Sequence, residues 1–137
     1  MKNIAIMRTA CERPAMLKLS LEYQAKADLS DEFTTYLYLD RPKKNADSII
    51  NKNKEVLSGF NNKKEIVTRP CNFNINKNYL EACRDLFGAG FQYVLAMEED
   101  TIISKDFFRL CEKVIDSGYL SGSISTFLAG WPSDGLG

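Results

Sequence analysis

Residues 91–100 read FQYVLAMEED, a near-continuous apolar run that stops abruptly at three consecutive carboxylic acids. A run of this kind and length is typical of a strand that is buried on both faces of a parallel sheet. The sequence therefore predicts a strand over Phe91–Met97, with Glu98, Glu99 and Asp100 directly after its carboxyl end. Parallel sheets bind their ligands at that end, so the acids are expected to lie at a binding site.

Segments of strand character alternate with segments of helical period around this run. The predicted strands are 3–8, 33–39, 65–68, 91–97 and 119–128, and the predicted helices are 14–27, 46–60, 76–87 and 104–117. Pro14 suits a first helical turn, and Asn76 and Ser104 are the expected N-caps. Gly118 is expected to end the last helix. This order predicts one domain with a Rossmann-like, three-layer α/β/α fold and a mostly parallel sheet.

The composition excludes several classes of protein. The chain has 137 residues, 45% of them hydrophobic and 26% charged, as expected for one folded domain. Eighteen basic residues balance eighteen acidic ones, which argues against a nucleic-acid partner. The absence of histidine excludes Ser-His-Asp and Cys-His catalysis and histidine zinc sites.

The cysteines and the apolar segments indicate the compartment. The four cysteines, at 11, 71, 83 and 111, lack the close spacing of a zinc or redox pair, so they are expected to be reduced core residues. No apolar run reaches the roughly 20 residues that cross a bilayer, and we expect neither a membrane segment nor a signal peptide. A cytoplasmic location follows as the expectation.

Polar residues follow several of the predicted strands. Thr9–Arg13 come after the first strand, Asp40 after the second and the three acids after the fourth. Adjacent carboxylates repel one another, and a divalent cation is a physical reason to hold them together. Mg²⁺ and Mn²⁺ suit oxygen ligands and bind through one or two carboxylates plus substrate phosphates.

Each signal also has a plainer interpretation. The acids could begin a solvated loop whose charge favours the dipole of the next helix. Arg13 could be an ordinary surface residue, and Asp40 could simply open a turn. The basic stretch 41–69 is typical of a solvated helix face. Thr9–Arg13 contains no glycine, which argues against a dinucleotide fingerprint or a Walker-type phosphate loop.

Taken in order, the strand ends resemble the GT-A fold glycosyltransferases. The resemblance is carried by IAIM at 4–7 with ACERP at 10–14, by Asp40, and by VLAMEED at 94–100 with SKDFF at 104–108. It is closest to the N-acetylglucosaminyltransferase I group and extends to the inverting family 2 enzymes, in which an acidic DxD-like motif precedes a Pro-Asp-Phe-Phe-like helix start. Here Glu99 stands where the closest group has Asp, and Lys105 replaces the usual proline.

The resemblance implies a nucleoside-diphosphate sugar as donor, with a UDP-sugar as the first choice. Asp40 would accept a hydrogen bond from the uracil N–H, and backbone groups of Thr9 and Ala10 would hold the base and the ribose. Arg13 would neutralise charge on the diphosphate. The acceptor would be a sugar or a glycoconjugate, which the sequence does not specify.

The resemblance also implies a metal. Asp100 would ligate Mn²⁺ or Mg²⁺ between the two phosphates, Glu98 would contact the ribose or a metal-bound water, and Glu99 would contact the ribose. The metal would stabilise the leaving diphosphate while a carboxylate base deprotonates the acceptor. No residue is assigned as that base, because Asp134 is suggested only by its position in the chain.

Three functions remain open. The first is glycosyl transfer. The resemblance covers only about residues 3–128, however. It implies that 1–137 is a single donor-binding domain, truncated before the acceptor-binding half. The second is a non-catalytic nucleotide-sugar-binding module or fragment. The third, a nucleotidyltransferase, is disfavoured because that class usually opens with a glycine-rich loop. An uncovered sheet edge in a truncated domain would favour a homo-oligomer.

Overall fold

The computed structural model describes residues 3–118. Its elements are β1 (Ile4–Ala10), α1 (Pro14–Lys26), a short 3₁₀ helix (Ser30–Glu32), β2 (Thr35–Leu39), α2 (Ala46–Ser58), β3 (Lys64–Thr68), α3 (Asn74–Gly88), β4 (Tyr93–Glu98) and α4 (Phe107–Asp116). The four strands form one sheet in the order β3-β2-β1-β4, and every neighbouring pair is parallel. The predicted α/β class is confirmed. The predicted fifth strand, 119–128, lies outside the described residues.

Helices cover both faces of the sheet. Alternate residues of β1 point to opposite faces, as the pleat of a strand requires. Ile4, Ile6 and Ala10 belong to the clusters formed with α1, α2 and α4. Ala5 and Met7 belong to a third cluster, which α3 covers. Within the described residues, no helix is long and apolar enough to cross a membrane.

The most completely buried strand is β1 rather than β4. All seven residues of β1 are buried, whereas Tyr93–Ala96 of β4 are only half-buried. β4 lies at one edge of the described sheet, beside the central β1. The prediction of a strand buried on both faces at 91–97 is therefore confirmed only in part, because Tyr93 and Leu95 pack against one cluster and Val94 and Ala96 against the cluster on the other face, but all four stay half-buried. A run of apolar residues indicates packing against helices and does not indicate where the strand lies in the sheet.

Two of the expected helix starts also differ. Asn76 lies inside α3, and it is Asn74, with φ 63°, whose Oδ1 accepts the N–H of Lys77 at 3.1 Å. The hydroxyl of Ser104 donates to Asp106 Oδ1 at 2.7 Å, and α4 begins only at Phe107. Both predictions placed the right residue type two or three positions from the helix start.

Gly118 fulfils its expected role at the other end of α4. It has φ 71° directly after the last turn, and its N–H donates to Ile115 O at 3.2 Å. A left-handed residue at this position favours glycine, since the conformation is costly for residues with a Cβ.

Candidate functional site

The carboxyl ends of β1, β2 and β4 meet around one pocket. Its lining residues are Thr9, Ala10, Cys11, Arg13, Asp40, Ile75, Asn78, Glu98 and Glu99. Six of the seven residues predicted for the site are in this lining, all except Asp100. The strands place them together because β1 pairs with β2 up to Ala10↔Leu39 and with β4 up to Thr9↔Glu98. Parallel strands that end in register bring their following loops to the same edge.

Glu99 joins the end of β4 to the loop after β1. Its side chain is buried, and its Oε2 accepts the backbone N–H groups of Cys11 at 2.8 Å and Arg13 at 3.4 Å. Its Oε1 accepts a hydrogen bond from Arg13 Nε at 3.0 Å. A buried carboxylate is stable only when it is paired and hydrogen-bonded in this way. The middle acid of the triplet is therefore part of the framework of the site and not of a solvated loop.

Arg13 contacts two of the three acids. Its Nη1 lies 3.0 Å from Asp100 Oδ2, in addition to the contact between its Nε and Glu99. The hydrogen bond to Glu99 is the main reason why the pKa of Arg13 is raised above its ordinary value. The Arg13 side chain is 52% exposed, so the guanidinium lies at the mouth of the pocket, where solvent and a ligand can reach it.

Asp40 occupies the opposite side of the pocket. It is buried, and its Oδ1 accepts the backbone N–H groups of Arg41 at 2.9 Å and Phe73 at 2.8 Å. Its own N–H donates to Ala10 O at 2.8 Å, which continues the pairing of β1 with β2. The carboxylate thus ties the segments that follow β2 and β3 together and lines the pocket as well, whereas no hydrogen-bonded turn begins at Asp40.

The wall between β2 and β3 contains a cation to which the sequence analysis assigned no role, although it lies at a predicted strand end. Arg69 follows β3, donates from Nε to Asn78 Oδ1 at 2.9 Å, and lies over the rings of Tyr38 and Phe73 at 5.0 and 4.9 Å. Its Nη2 is buried and finds no hydrogen-bond acceptor within residues 3–118. We call Asp40, Arg69, Phe73 and Asn78 the β2–β3 wall. An arginine directly after a predicted strand was the available signal.

A second missed group lies below the acids, in the interior. We call residues 98–101 the acidic turn. Arg8 is fully buried, and its Nη1 donates to Glu98 O at 2.6 Å and to Thr101 O at 3.2 Å. The hydroxyl of Ser20 donates to Glu99 O at 2.8 Å. The turn is also closed by the N–H of Glu98, which donates to Thr101 Oγ1 at 3.0 Å.

The acidic turn offers oxygen donors to a cation but does not form a complete metal cage. Within residues 3–118, no group of three or more cysteine, aspartate or glutamate side chains is arranged to hold a metal ion. Glu98 is exposed, and the Asp100 side chain is 36% exposed with its Oδ2 already paired to Arg13. Two accessible carboxylates suit Mg²⁺ or Mn²⁺ only if substrate oxygens complete the coordination. The donor set therefore fits a cation that binds together with a phosphorylated ligand.

Cys11 lines the pocket without being a nucleophile. Burial is the main reason why the pKa of its thiol is raised to about 12, and the nearby Asp40, Glu12 and Glu99 act in the same direction. The thiol is therefore protonated at neutral pH, and a protonated thiol is a poor nucleophile and a poor metal ligand. This agrees with the expectation of reduced cysteines: all four are free, although only Cys111 is buried.

Comparison with known proteins gives structural matches only. No protein-family model matches the sequence, and no curated protein sequence matches it. The crystal structure of S. aureus TarS is 17% identical, has a TM-score of 0.62, and is matched over 92% of this chain and 23% of TarS. TarS 1–349 is 16% identical with a TM-score of 0.61, over 93% of this chain and 39% of that fragment.

The same TarS fragment in complex with UDP is also similar. It is 17% identical with a TM-score of 0.61, over 87% of this chain and 33% of the fragment. The chain therefore spans between 23% and 39% of the length of these proteins. Identities this low show the fold alone. The chain has the glycosyltransferase fold of GT-A type that its strand ends resemble.

Proposed function

We propose that this chain is a glycosyltransferase-like domain that binds a nucleoside-diphosphate sugar, with a UDP-sugar as the first choice, together with Mn²⁺ or Mg²⁺. The observation that carries the proposal is the convergence of Asp40, the Thr9–Arg13 loop and the acidic turn on one pocket at the carboxyl edge of the sheet. The complex of the TarS fragment with UDP supports the choice of nucleotide.

Asp40 is proposed to recognise the base. Two backbone N–H groups hold its Oδ1, which fixes the plane of a carboxylate that also lines the pocket. A fixed carboxylate acceptor suits the uracil N–H, because a hydrogen bond to a charged group is stronger than one between two neutral groups. Backbone groups of Thr9 and Ala10, which line the same pocket, would hold the base and the ribose.

The charges of the pocket predict that the diphosphate binds only with a cation. Asp40, Glu98 and Glu99 line it, and Arg13 is the one basic side chain among the lining residues that the structure describes. Asp100 adds a further negative charge beside Arg13. An anionic diphosphate would be repelled by this excess of carboxylates. A divalent cation removes the repulsion and, when bound, stabilises charge on the leaving diphosphate.

Each acidic residue then has a distinct proposed role. Asp100 and Glu98 would hold the cation from the exposed side of the acidic turn. Glu99 would keep the first loop closed against the turn while it faces the ribose. Arg13, which is paired with acids but half exposed, would share its charge with the diphosphate.

The test is a ligand panel on the purified chain. UDP with Mn²⁺ should raise the melting temperature more than UDP alone, because the metal is expected to lower the Kd of UDP. A ligand at a hundred-fold excess over its Kd stabilises the native state by about 2.7 kcal/mol. NAD and ATP serve as nucleotide controls, and Asp31→Asn, at an exposed acid outside the pocket, serves as a protein control. Equal shifts with all three nucleotides, or no shift with any, would refute the donor assignment.

A further inference from the structure

We propose that Arg8 is a positioning residue of the donor site, whose buried guanidinium fixes the backbone of the acidic turn and thereby the carboxylates that the turn presents. The identity of the ligand rests on the proposed function, whereas the role of Arg8 in shaping the turn does not. Arg8 is not part of the pocket lining, so it can act on a ligand only through the turn.

The hydrogen bonds of Arg8 account for its burial. Its Nε and Nη2 donate to Gln24 Oε1 at 3.1 and 3.0 Å, its Nη1 donates to Glu98 O and Thr101 O, and its Nη2 also contacts Met97 Sδ at 3.5 Å. A guanidinium has five N–H donors, and here five contacts are available to them. Burying a charge is costly unless it is hydrogen-bonded. A lysine has three donors and lacks the planar fork, so it would leave some of these acceptors without a partner.

The acidic turn depends on these donors because Glu99, Asp100 and Thr101 lie beyond the sheet. The pairing of β1 with β4 ends at Thr9↔Glu98, and the following residues belong to no strand. Three carbonyl groups of the turn accept from interior side chains: Glu98 O and Thr101 O from Arg8, and Glu99 O from Ser20. The turn's own backbone supplies one hydrogen bond, from the N–H of Thr101 to Glu98 O at 3.2 Å, and the interior side-chain donors fix its orientation against the core.

The support continues into the core. Gln24, which accepts two hydrogen bonds from Arg8, donates from Nε2 to Thr35 Oγ1 at 2.8 Å. Gln24 and Thr35 are both fully buried. The path Thr35–Gln24–Arg8 thus anchors the acidic turn to α1 and β2. Burial lowers the pKa of Arg8 to about 10, and the charge of Asp100 acts weakly in the opposite direction. The guanidinium is still protonated at neutral pH.

The first experiment measures the turn without any ligand. Hydrogen exchange of the amides of 98–103 is compared in wild type, Arg8→Met, Arg8→Lys and Leu86→Ala. Leu86 is buried in the α3 cluster, so its truncation lowers global stability without touching the turn. Both Arg8 variants should accelerate exchange at 98–103 beyond the change seen elsewhere in β1 and β4. Uniform acceleration, as expected for Leu86→Ala, would show a merely structural role and overturn the proposal.

The second experiment measures ligand affinity below the melting temperature of each variant. Arg8→Met should weaken binding of UDP with Mn²⁺ by roughly tenfold, the usual loss when a residue that orients metal ligands is removed. Affinity for uridine, which has no phosphate and needs no metal, should be unchanged. Equal losses for UDP and uridine would overturn the proposal.

A milder variant guards against failure to fold. Ser20→Ala removes only the donor to Glu99 O and should change exchange and UDP affinity in the same direction by a smaller factor. No effect of Ser20→Ala and Arg8→Lys on either measurement would also overturn the proposal. If wild type binds no UDP with Mn²⁺, the proposed function fails, and the exchange measurement still decides the role of Arg8.

Discussion

The two sides of the pocket stabilise their charges in different ways. On the side of the acidic turn, Arg13 at the mouth forms ion pairs with Glu99 and Asp100, and Glu99 also accepts two backbone N–H groups. In the β2–β3 wall, Asp40 is held by backbone N–H groups and Arg69 lies against aromatic rings. Ion pairs near the surface are weak and exchange readily, whereas backbone dipoles are fixed by the fold. The first side is therefore suited to a site that gains and loses a cation, and the second to rigid recognition.

The largest effect is expected where a cation is proposed to bind. Asp100→Ala should abolish the metal-dependent part of UDP binding, measured by calorimetry with and without Mn²⁺. The fold should remain within about 1 kcal/mol of wild type, because the pair with Arg13 is partly exposed. Asp31→Ala is the matched control. If Asp100→Ala unfolds the domain, the acidic turn is structural and the metal assignment is wrong.

Asp40 should behave in the opposite manner. Asp40→Ala leaves the N–H groups of Arg41 and Phe73 without their acceptor, at a cost of about 1–3 kcal/mol in the free energy of unfolding. Asp40→Asn keeps an acceptor and should cost less. Both variants should weaken uridine and UDP equally, with or without metal. A loss confined to UDP with Mn²⁺ would contradict the division between the two sides of the pocket.

Arg13 provides a test of whether its guanidinium and Mn²⁺ compete for the carboxylates of the acidic turn. Arg13→Ala releases Asp100 and one oxygen of Glu99, so Mn²⁺ alone should bind the variant more tightly than wild type. UDP with Mn²⁺ should bind less tightly, since the proposed contact with the diphosphate is lost. Titration of Mn²⁺ with and without UDP measures both. Weaker binding of Mn²⁺ alone would show that Arg13 supports the turn and does not compete with the cation.

The smallest effect on affinity is expected at Cys11. With a pKa of about 12, its thiol should react much more slowly with iodoacetamide at pH 8 than the exposed Cys71, as measured by mass spectrometry of the modified chain. Because the folded state keeps this thiol protonated, its contribution to stability is present below the ordinary thiol pKa of 9.0 and is lost as pH rises toward 12. Preferential modification of Cys11 would contradict its raised pKa. Cys11→Ser should leave UDP affinity nearly unchanged.

The sequence predicted the local elements better than their arrangement. Each described strand and α-helix was expected within a few residues, because periodicity and turn residues are local signals, whereas the short 3₁₀ helix Ser30–Glu32 was not expected. The central position of β1 was not predicted, since a buried strand has the same pattern anywhere in a sheet. The shifts at Asn74 and Phe107 show that a capping residue type does not by itself fix the first residue of a helix.

The sequence predicted which residues meet at the candidate site. It did not predict which of them form hydrogen bonds or ion pairs with one another. Strand ends identified six pocket residues, because parallel topology alone brings them together. The contacts of Glu99 with Arg13 and of Arg8 with the acidic turn join residues 86 to 93 positions apart, and no local pattern records them. An arginine that alternation places on a buried face of β1 was the one available signal. The proposed ligand roles remain predictions.

The place of β4 in the sheet has a consequence for folding kinetics. β1 and β2 are joined through one helix, whereas β4 reaches β1 only after the rest of the described sheet has been traversed along the chain. Closing so long a loop costs more conformational entropy than closing the β1–β2 crossover, and such distant pairings slow folding. The Asp40 side can therefore assemble before the acidic turn. Refolding chains should acquire the ability to bind uridine ahead of the ability to bind UDP with a metal ion, and nucleotide binding would then follow the last step of folding.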